Sequence, residues 1–205
     1  MTQSNQAHQF ITGTTPNGVP IVLLHGSGGD ERDLVPLATE LAPGAPMLSL
    51  RGTVEIEGGF AFFHRRRDRS IDEADLTARI PPLAGLIAAV SEDHGFVKPP
   101  VVIGFSNGAI MAAALLLTHP TLFAGAILLR PLSPFLDDPP VRLDATPVLI
   151  LDGEKDNRRS PGDGALLAKR FKRAGATVTH QVLPVGHAIT EMDERIARAW
   201  LVRFR

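Results

Sequence analysis

Residues 101–108 constrain this chain more than any other stretch, because a β-branched apolar run passes there into a helix-forming run. Gly104, Ser106 and Gly108 lie between the two runs in the pattern Gly-x-Ser-x-Gly. After a strand and before a helix, this pattern is typical of a nucleophile elbow, a sharp turn with a serine at its tip. Such a turn strains the backbone of the serine. We therefore predict that Ser106 is a nucleophile; the alternative is a glycine-rich turn in another kind of α/β protein.

A serine hydroxyl is a weak nucleophile near neutral pH, so it needs a histidine base and an acid that orients the histidine. On an elbow of this kind the chain order is serine, then aspartate or glutamate, then histidine. Ser106, Asp156 and His187 have this order, and His187 is the one histidine in a loop after the last predicted strand. Asp156 is the favoured acid because a carboxylate in the loop after a strand can reach across to the histidine. Asp152, at the end of that strand, is the rival, and Glu154 is the third choice.

A second glycine-rich loop follows the first strongly apolar strand, at residues 25–30. Its glycines let the backbone turn tightly with N–H groups pointing outward. We predict that the N–H groups of Ser27 and Asn107 form an oxyanion hole, since an elbow enzyme takes one N–H from such a loop and one from the residue after the nucleophile. His25 is expected to orient the loop rather than to transfer protons. The alternative, a phosphate-binding loop, lacks the expected glycine spacing.

Strands and helices alternate along the chain, which predicts an α/β fold with a mostly parallel, doubly wound sheet of about seven strands and helices on both faces. Ligands bind at the carboxyl ends of the strands in such sheets. Ser27, Ser106, Asp156 and His187 all follow predicted strands. The predicted strands cover residues 9–13, 19–25, 45–50, 101–105, 123–129, 146–151 and 177–183, with a turn at 14–18. The predicted helices cover residues 30–41 with Asp30 as N-cap, a helical turn at 72–79, a main helix starting at Pro81-Pro82, 107–118, 160–174 and a final helix after residue 188.

Two connections bear on the size of the substrate site. Residues 51–70 are predicted to be an irregular loop, and loops of this length are often functional. Their phenylalanines, Phe60, Phe62 and Phe63, are candidates for a pocket wall, and their arginines could meet an acidic substrate group. A solvated basic loop is the favoured interpretation of these arginines. The connection 130–145 is too short to hold a cap domain.

These motifs together resemble a known family. Residues 24–30, Gly104-Phe105-Ser106-Asn107-Gly108, Gly153-x-x-Asp156 and Gly186-His187 resemble the phospholipase/carboxylesterase family of α/β hydrolases, which includes the acyl-protein thioesterases. Leu50-Arg51-Gly52 with Phe62-Phe63-x-Arg65 is similar to the bacterial branch of hydroquinone-operon carboxylesterases. The resemblance covers nearly the whole chain.

The resemblance implies hydrolysis of small carboxylic esters without a cofactor or a metal, often by a homodimer. The motifs that carry the resemblance contain the predicted catalytic residues Ser106, Asp156 and His187. Arg51 and Arg65 are predicted to line the substrate pocket with the phenylalanines named above. Ser27 replaces the apolar residue common in the acyl-protein thioesterases, which argues against long acyl chains. The alternatives are an acyl-thioesterase or lysophospholipase of the same fold, or a non-catalytic binding protein that uses it.

Composition limits the remaining classes. With 205 residues, the chain is expected to be one domain, residues 1–205. The net charge of −1 predicts no nucleic-acid or membrane partner, and the absence of cysteine excludes a cysteine nucleophile and thiolate metal ligands. The first nine residues are polar, which differs from a signal peptide. We therefore expect a cytoplasmic enzyme whose partner is a small-molecule ester.

Overall fold

The protein is described by a computed structural model that covers residues 6–15 and 18–204. Within these residues seven strands form one sheet in the order β1-β3-β2-β6-β7-β8-β9, and β4 and β5 form a separate hairpin. All neighbouring strands of the sheet are parallel except β1, which pairs antiparallel with β3 at one edge. The strands are β1 His8–Ile11, β2 Ile21–Leu24, β3 Met47–Leu50, β4 Val54–Ile56, β5 Gly59–Ala61, β6 Val101–Phe105, β7 Gly125–Leu129, β8 Pro147–Gly153 and β9 Thr177–Leu183. The predicted sheet is confirmed.

Helices cover both faces of the sheet. They are α1 Val35–Leu41, α2 Glu73–Asp93, α3 Asn107–Thr118, α4 Asp163–Arg173 and α5 Glu191–Leu201, which a short 3₁₀ turn extends. Side chains of a strand alternate between the two faces. Val22 and Leu24 therefore pack with α2, α3 and α4, whereas Ile21 and Leu23 pack with α1 and α5. Eleven consecutive residues of α3 are buried, as its apolar sequence predicts. The sheet between these two layers carries the core of the molecule.

Two helix starts differ from the prediction. Helix α1 begins at Val35, because the Asp30 side chain accepts the N–H of Arg32 and closes a turn there instead of capping a helix. Helix α2 begins at Glu73, capped by Asp72, and runs through Pro81 and Pro82 without a break. The expected start at the two prolines was wrong, since buried side chains before and after them continue one apolar face.

The segment 51–70 is more ordered than predicted. It contains the β4–β5 hairpin, which is bonded to the glycine-rich loop through Phe60. The carbonyl of Phe60 accepts the N–H of Gly28 over 2.9 Å, and the N–H of Phe60 donates to Gly29 O over 3.0 Å. Residues 130–146 form neither helix nor strand, so no cap folds there. The turn predicted at 14–18 includes residues 16 and 17, which lie outside the described part. None of the helices in the described ranges combines the length and hydrophobicity needed to cross a bilayer.

Candidate active site

The turn from β6 into α3 has the geometry of a nucleophile elbow. Ser106 has φ 52° and ψ −107°, a strained conformation for a residue with a side chain, and its N–H donates to Leu129 O over 2.9 Å. A Cβ on Gly104 would lie 2.7 Å from the Cα of Ala109, and a Cβ on Gly108 would overlap the carbonyl of Leu24. Gly104 therefore lets β6 turn directly into α3, and Gly108 lets the start of α3 approach the end of β2 closely.

Ser106, His187 and Asp156 form a continuous hydrogen-bonded row. Ser106 Oγ lies 2.9 Å from His187 Nε2, and His187 Nδ1 lies 2.7 Å from Asp156 Oδ2. The Asp156 side chain is fully buried, and its other oxygen accepts the N–H of Arg158 over 2.8 Å. A carboxylate only accepts hydrogen bonds, so His187 carries its proton on Nδ1 and Nε2 is free to accept from the serine hydroxyl.

The two other candidate acids lie elsewhere. Asp152 Oδ2 is 2.6 Å from His180 Nε2, and burial raises the pKa of this aspartate above its usual range. Glu154 is exposed. The structure thus pairs Asp156, and neither rival, with His187.

Burial also acts on His187. It lowers the pKa of the imidazole below its ordinary value of 6.5, because a desolvated cation is less stable. The hydrogen bond and the charge of Asp156 oppose this shift, whereas the charges of Arg159 and Arg158 add to it. The neutral, proton-accepting form of His187 therefore extends to lower pH than in a free histidine.

The two residues predicted to form the oxyanion hole lie in the loop after β2 and at the start of α3. Asn107 is the first residue of α3, so its N–H is among those that have no intrahelical acceptor. Its side chain accepts the N–H of Phe62 over 2.7 Å and thereby holds the segment after the hairpin. Ser27 lines the same cavity as Ser106 and His187.

His25 supports the glycine-rich loop from behind. Its Nδ1 lies 2.6 Å from Gly26 O, and its Nε2 accepts the N–H of Gly52 over 2.9 Å. Burial lowers the pKa of His25, which fits the neutral ring that this pair of bonds requires. The ring joins the loop after β2 to the loop after β3, which is the orienting role expected from the sequence.

A cavity of about 770 Å³ opens beside Ser106 and His187. Of the five predicted pocket residues, it brings Phe63 and Arg65 to its wall. The other three lie outside its lining: Phe62 packs on the His25 ring, and Arg51 stacks 4.5 Å above Phe60. Within the described ranges, His, Asp and Glu side chains form no group of three placed to hold a metal ion.

Arg159 is a site residue that the sequence analysis missed. Its Nη2 donates to Ser106 Oγ over 3.0 Å, and its Nε donates to Arg130 O over 2.8 Å. Burial, together with the charge of Arg65, lowers the pKa of Arg159 to about 10. Its position three residues after Asp156 is the feature of the sequence that could have indicated a place in the site.

Arg130 was also missed. Its side chain is fully buried, forms a two-pronged ion pair with Asp193 at 2.7 and 2.9 Å, and donates to the carbonyls of Gly186 and Ala188 over 3.1 Å each. These carbonyls lie on either side of His187. Arg130 therefore fixes the backbone that carries the histidine.

Replacing Arg130 by methionine should destabilise the protein by about 3–5 kcal/mol, because Asp193 would remain as a buried, unpaired charge. At about 2–4 °C per kcal/mol for a chain of this size, the melting temperature should fall by roughly 10 °C. Thermal unfolding followed by circular dichroism measures this. The control is Arg142→Met, whose guanidinium is exposed, and it should change stability by less than about 0.5 kcal/mol. A melting temperature of Arg130→Met within about 2 °C of the unmodified protein would contradict the assignment.

No family model matches the chain. It is 33% identical over 194 residues to MhqD of Bacillus subtilis (strain 168), which is named as a hydrolase, and the match covers 94% of this chain and 96% of MhqD. The structure superposes on the Bacillus cereus carboxylesterase with a TM-score of 0.94 and 31% identity, over 100% of this chain and 97% of the other. A carboxylesterase from Mesorhizobium loti gives a TM-score of 0.92 and 31% identity, with 98% and 97% covered.

These relatives share the fold, nearly the full length and an activity class. The matches cover nearly the full length of each chain, so the α/β-hydrolase sheet as a whole is common to this chain and the two solved carboxylesterases. An esterase-type hydrolase is the class that the names of these relatives support. The chain belongs to the phospholipase/carboxylesterase family of α/β hydrolases and is close to its bacterial hydroquinone-operon branch.

Proposed function

We propose that this hydrolase is a serine carboxylesterase for small, short-chain carboxylic esters, with Ser106 as nucleophile, His187 as general base and acid, and Asp156 as the orienting acid. The observation that carries the proposal is the continuous row of two hydrogen bonds, 2.9 Å from Ser106 to His187 and 2.7 Å from His187 to Asp156. Both lengths are within the range for a working nucleophile–base–acid arrangement.

In the acylation half, His187 Nε2 takes the hydroxyl proton as Ser106 Oγ attacks the ester carbonyl carbon. The carbonyl oxygen becomes an oxyanion, which accepts hydrogen bonds from the N–H groups of Ser27 and Asn107. His187 then donates its Nε2 proton to the leaving alcohol, and an acyl-serine ester remains. Asp156 stays ionised and stabilises the imidazolium ion that forms between the two transfers.

In the deacylation half, water replaces the alcohol. His187 takes a proton from the water as its oxygen attacks the acyl-serine carbonyl, and the same two N–H groups stabilise the second oxyanion. Collapse of this intermediate returns the proton to Ser106 Oγ and releases the carboxylic acid. No step needs a cofactor, since the serine and histidine supply the nucleophile and every proton transfer.

Activity of the purified protein toward p-nitrophenyl acetate tests the proposal. We expect turnover above the background rate, and the absence of any turnover on a panel of short esters would overturn it. Thiol esters of the same acyl groups, measured in parallel, distinguish a carboxylesterase from a thioesterase. A kcat/KM that is higher for the thiol ester would assign the site to thioester hydrolysis.

The value of kcat/KM should fall on the acid side with a midpoint below pH 6.5. Only neutral His187 can accept the serine proton, and burial lowers the pKa of this imidazole, so the active form persists to lower pH. Measurement from pH 4.5 to 8 at the isosbestic wavelength of p-nitrophenol gives the midpoint directly. A midpoint above pH 7 would show that another group controls the rate.

Substrate size gives a further prediction. The connection between β7 and β8 forms no cap over the site, so a long acyl chain would leave methylene groups in water. Each such group would lose the binding free energy of about 0.8 kcal/mol that its burial would contribute. We expect kcat/KM for p-nitrophenyl esters to peak at acyl chains of about two to six carbons. Phe63→Ala should shift this preference, because Phe63 is the predicted phenylalanine that lines the cavity. A kcat/KM still rising at twelve carbons would contradict the prediction.

A further inference from the structure

The wall of the cavity beside Ser106 carries more positive than negative charge. Four arginines and two aspartates line it: Arg65, Arg69, Arg158, Arg159, Asp68 and Asp163. Both aspartates already accept hydrogen bonds from backbone N–H groups, Asp68 from Ser70 over 3.0 Å and Asp163 from Ser160 over 2.7 Å. The cavity therefore presents a net positive wall to a small molecule that reaches the nucleophile.

Two of these arginines differ from ordinary surface cations. Arg65 and Arg159 are both partly buried, and each has a lowered pKa because of desolvation. Across residues 6–15 and 18–204, neither guanidinium has a carboxylate within the 4.0 Å of an ion pair. Arg66 and Arg67 of the same segment are exposed, as a solvated basic loop requires. Asp163 acts on both guanidinium groups through its charge but lies beyond ion-pair distance, so a carboxylate in direct contact with them would stabilise a partly buried positive charge.

We infer that Arg159, assisted by Arg65, binds a carboxylate group of the substrate, so that the preferred substrates are esters with a carboxylate a few bonds from the scissile carbonyl. A half-ester of a short dicarboxylic acid has this chemistry. The inference rests on the proposed function, because it names the substrate class of the same Ser106 site.

The contacts of Arg159 place its guanidinium for this task. Its Nε is held by Arg130 O at 2.8 Å and its Nη1 by Arg158 O at 3.0 Å, so the planar group is oriented before substrate arrives. Its Nη2 lies 3.0 Å from Ser106 Oγ, and a reacting carbonyl carbon comes within ~3 Å of that oxygen. A carboxylate that takes over the Nη2 donor therefore lies beside the scissile carbonyl. The carboxylate is also the better acceptor, since a charge-assisted bond is stronger than one to a hydroxyl.

Paired substrates test the inference. Monoethyl succinate carries the carboxylate, and ethyl succinamate is its neutral counterpart of nearly the same shape. Hydrolysis of both is followed at pH 7 by titration of the released acid. We expect kcat/KM of the wild-type protein to be about 10–100-fold higher for monoethyl succinate, the range of a charge-assisted hydrogen bond. A ratio near or below one overturns the inference, and activity on p-nitrophenyl acetate would leave the proposed function standing.

Variants assign the selectivity to a residue. Arg159→Met should reduce the ratio to about one, and Arg159→Lys should retain part of it, because a lysine keeps the charge without the planar fork. Arg65→Met should lower the ratio to a smaller extent. The matched control is Arg67→Met, which removes an exposed arginine from the same segment and should leave the ratio unchanged. A ratio preserved in Arg159→Met overturns the assignment.

A measurement on the wild-type protein decides the case if Arg159→Met fails to fold. Succinate should competitively inhibit hydrolysis of p-nitrophenyl acetate, with weaker inhibition at high salt, whereas succinamide should inhibit at least tenfold less well. Equal inhibition by the two compounds overturns the inference. So does the absence of inhibition at ~100 mM succinate, because this concentration is well above the millimolar dissociation constants of weak specific binding.

Discussion

Replacing Ser106 by alanine should lower kcat for p-nitrophenyl acetate by about 10⁴–10⁶-fold, because the atom removed is the one that attacks the ester. Ser106 Oγ lies 2.9 Å from His187 Nε2, so the base would lose the proton that it is placed to accept. Some turnover above the uncatalysed rate should remain, since the oxyanion donors and the substrate-binding residues are untouched.

The fold of this variant should be unchanged. The bonds of Ser106 that hold the elbow come from its backbone, from its N–H to Leu129 O and from Ile110 N–H to its carbonyl. Alanine has a Cβ like serine, so the strain at φ 52° is the same. The control is Ser91→Ala, which removes the bond from Ser91 Oγ to Ile87 O in α2, away from the site. If Ser106→Ala kept kcat within about tenfold of the unmodified enzyme, Ser106 would not be the nucleophile.

The sequence predicted the elbow because its signals are local. A β-branched run, two glycines at a fixed spacing and an apolar helix are all within 18 residues, and the clash that Gly104 avoids involves the helix that follows it directly. Strand β9, Thr177–Leu183, has the predicted bounds, and its carboxyl end leads to His187. His187 could be identified because it is the one histidine in a loop after the last predicted strand, and ligand sites in parallel sheets lie at the carboxyl ends of strands.

The parts that could not be predicted depend on contacts between distant residues. Arg130 meets Asp193 and the His187 loop 56–63 residues further along the chain, and no local pattern marks a buried arginine. Arg159 reaches Ser106 across 53 residues, so its adjacency to Asp156 was the single clue. The start of α2 was predicted wrongly for a related reason. Proline disfavours a helix interior locally, but the buried face on both sides of the pair outweighs this cost.

Replacing Asp156 by asparagine should lower kcat by about 10⁴-fold. Asp156 Oδ2 accepts the proton on His187 Nδ1 over 2.7 Å, which leaves Nε2 free to take the proton of Ser106. An asparagine at this position can donate its amide N–H to Nδ1 instead, which would move the imidazole proton to Nε2 and block the base. The imidazolium ion that forms during catalysis would also lose the negative charge beside it. The loss should appear in kcat at saturating p-nitrophenyl acetate, with the melting temperature measured in parallel.

Asp152→Asn is the matched control, because it makes the same chemical change four residues earlier. Asp152 pairs with His180 at 2.6 Å and not with His187, so this variant should keep kcat within about tenfold of the unmodified enzyme. The pair it breaks joins the end of β8 to β9, so any effect should appear in the melting temperature. Comparing the two variants separates the orienting role of Asp156 from the general effect of replacing an aspartate by asparagine in this part of the molecule. A larger loss of kcat in Asp152→Asn than in Asp156→Asn would mean that the acid of the triad had been misassigned.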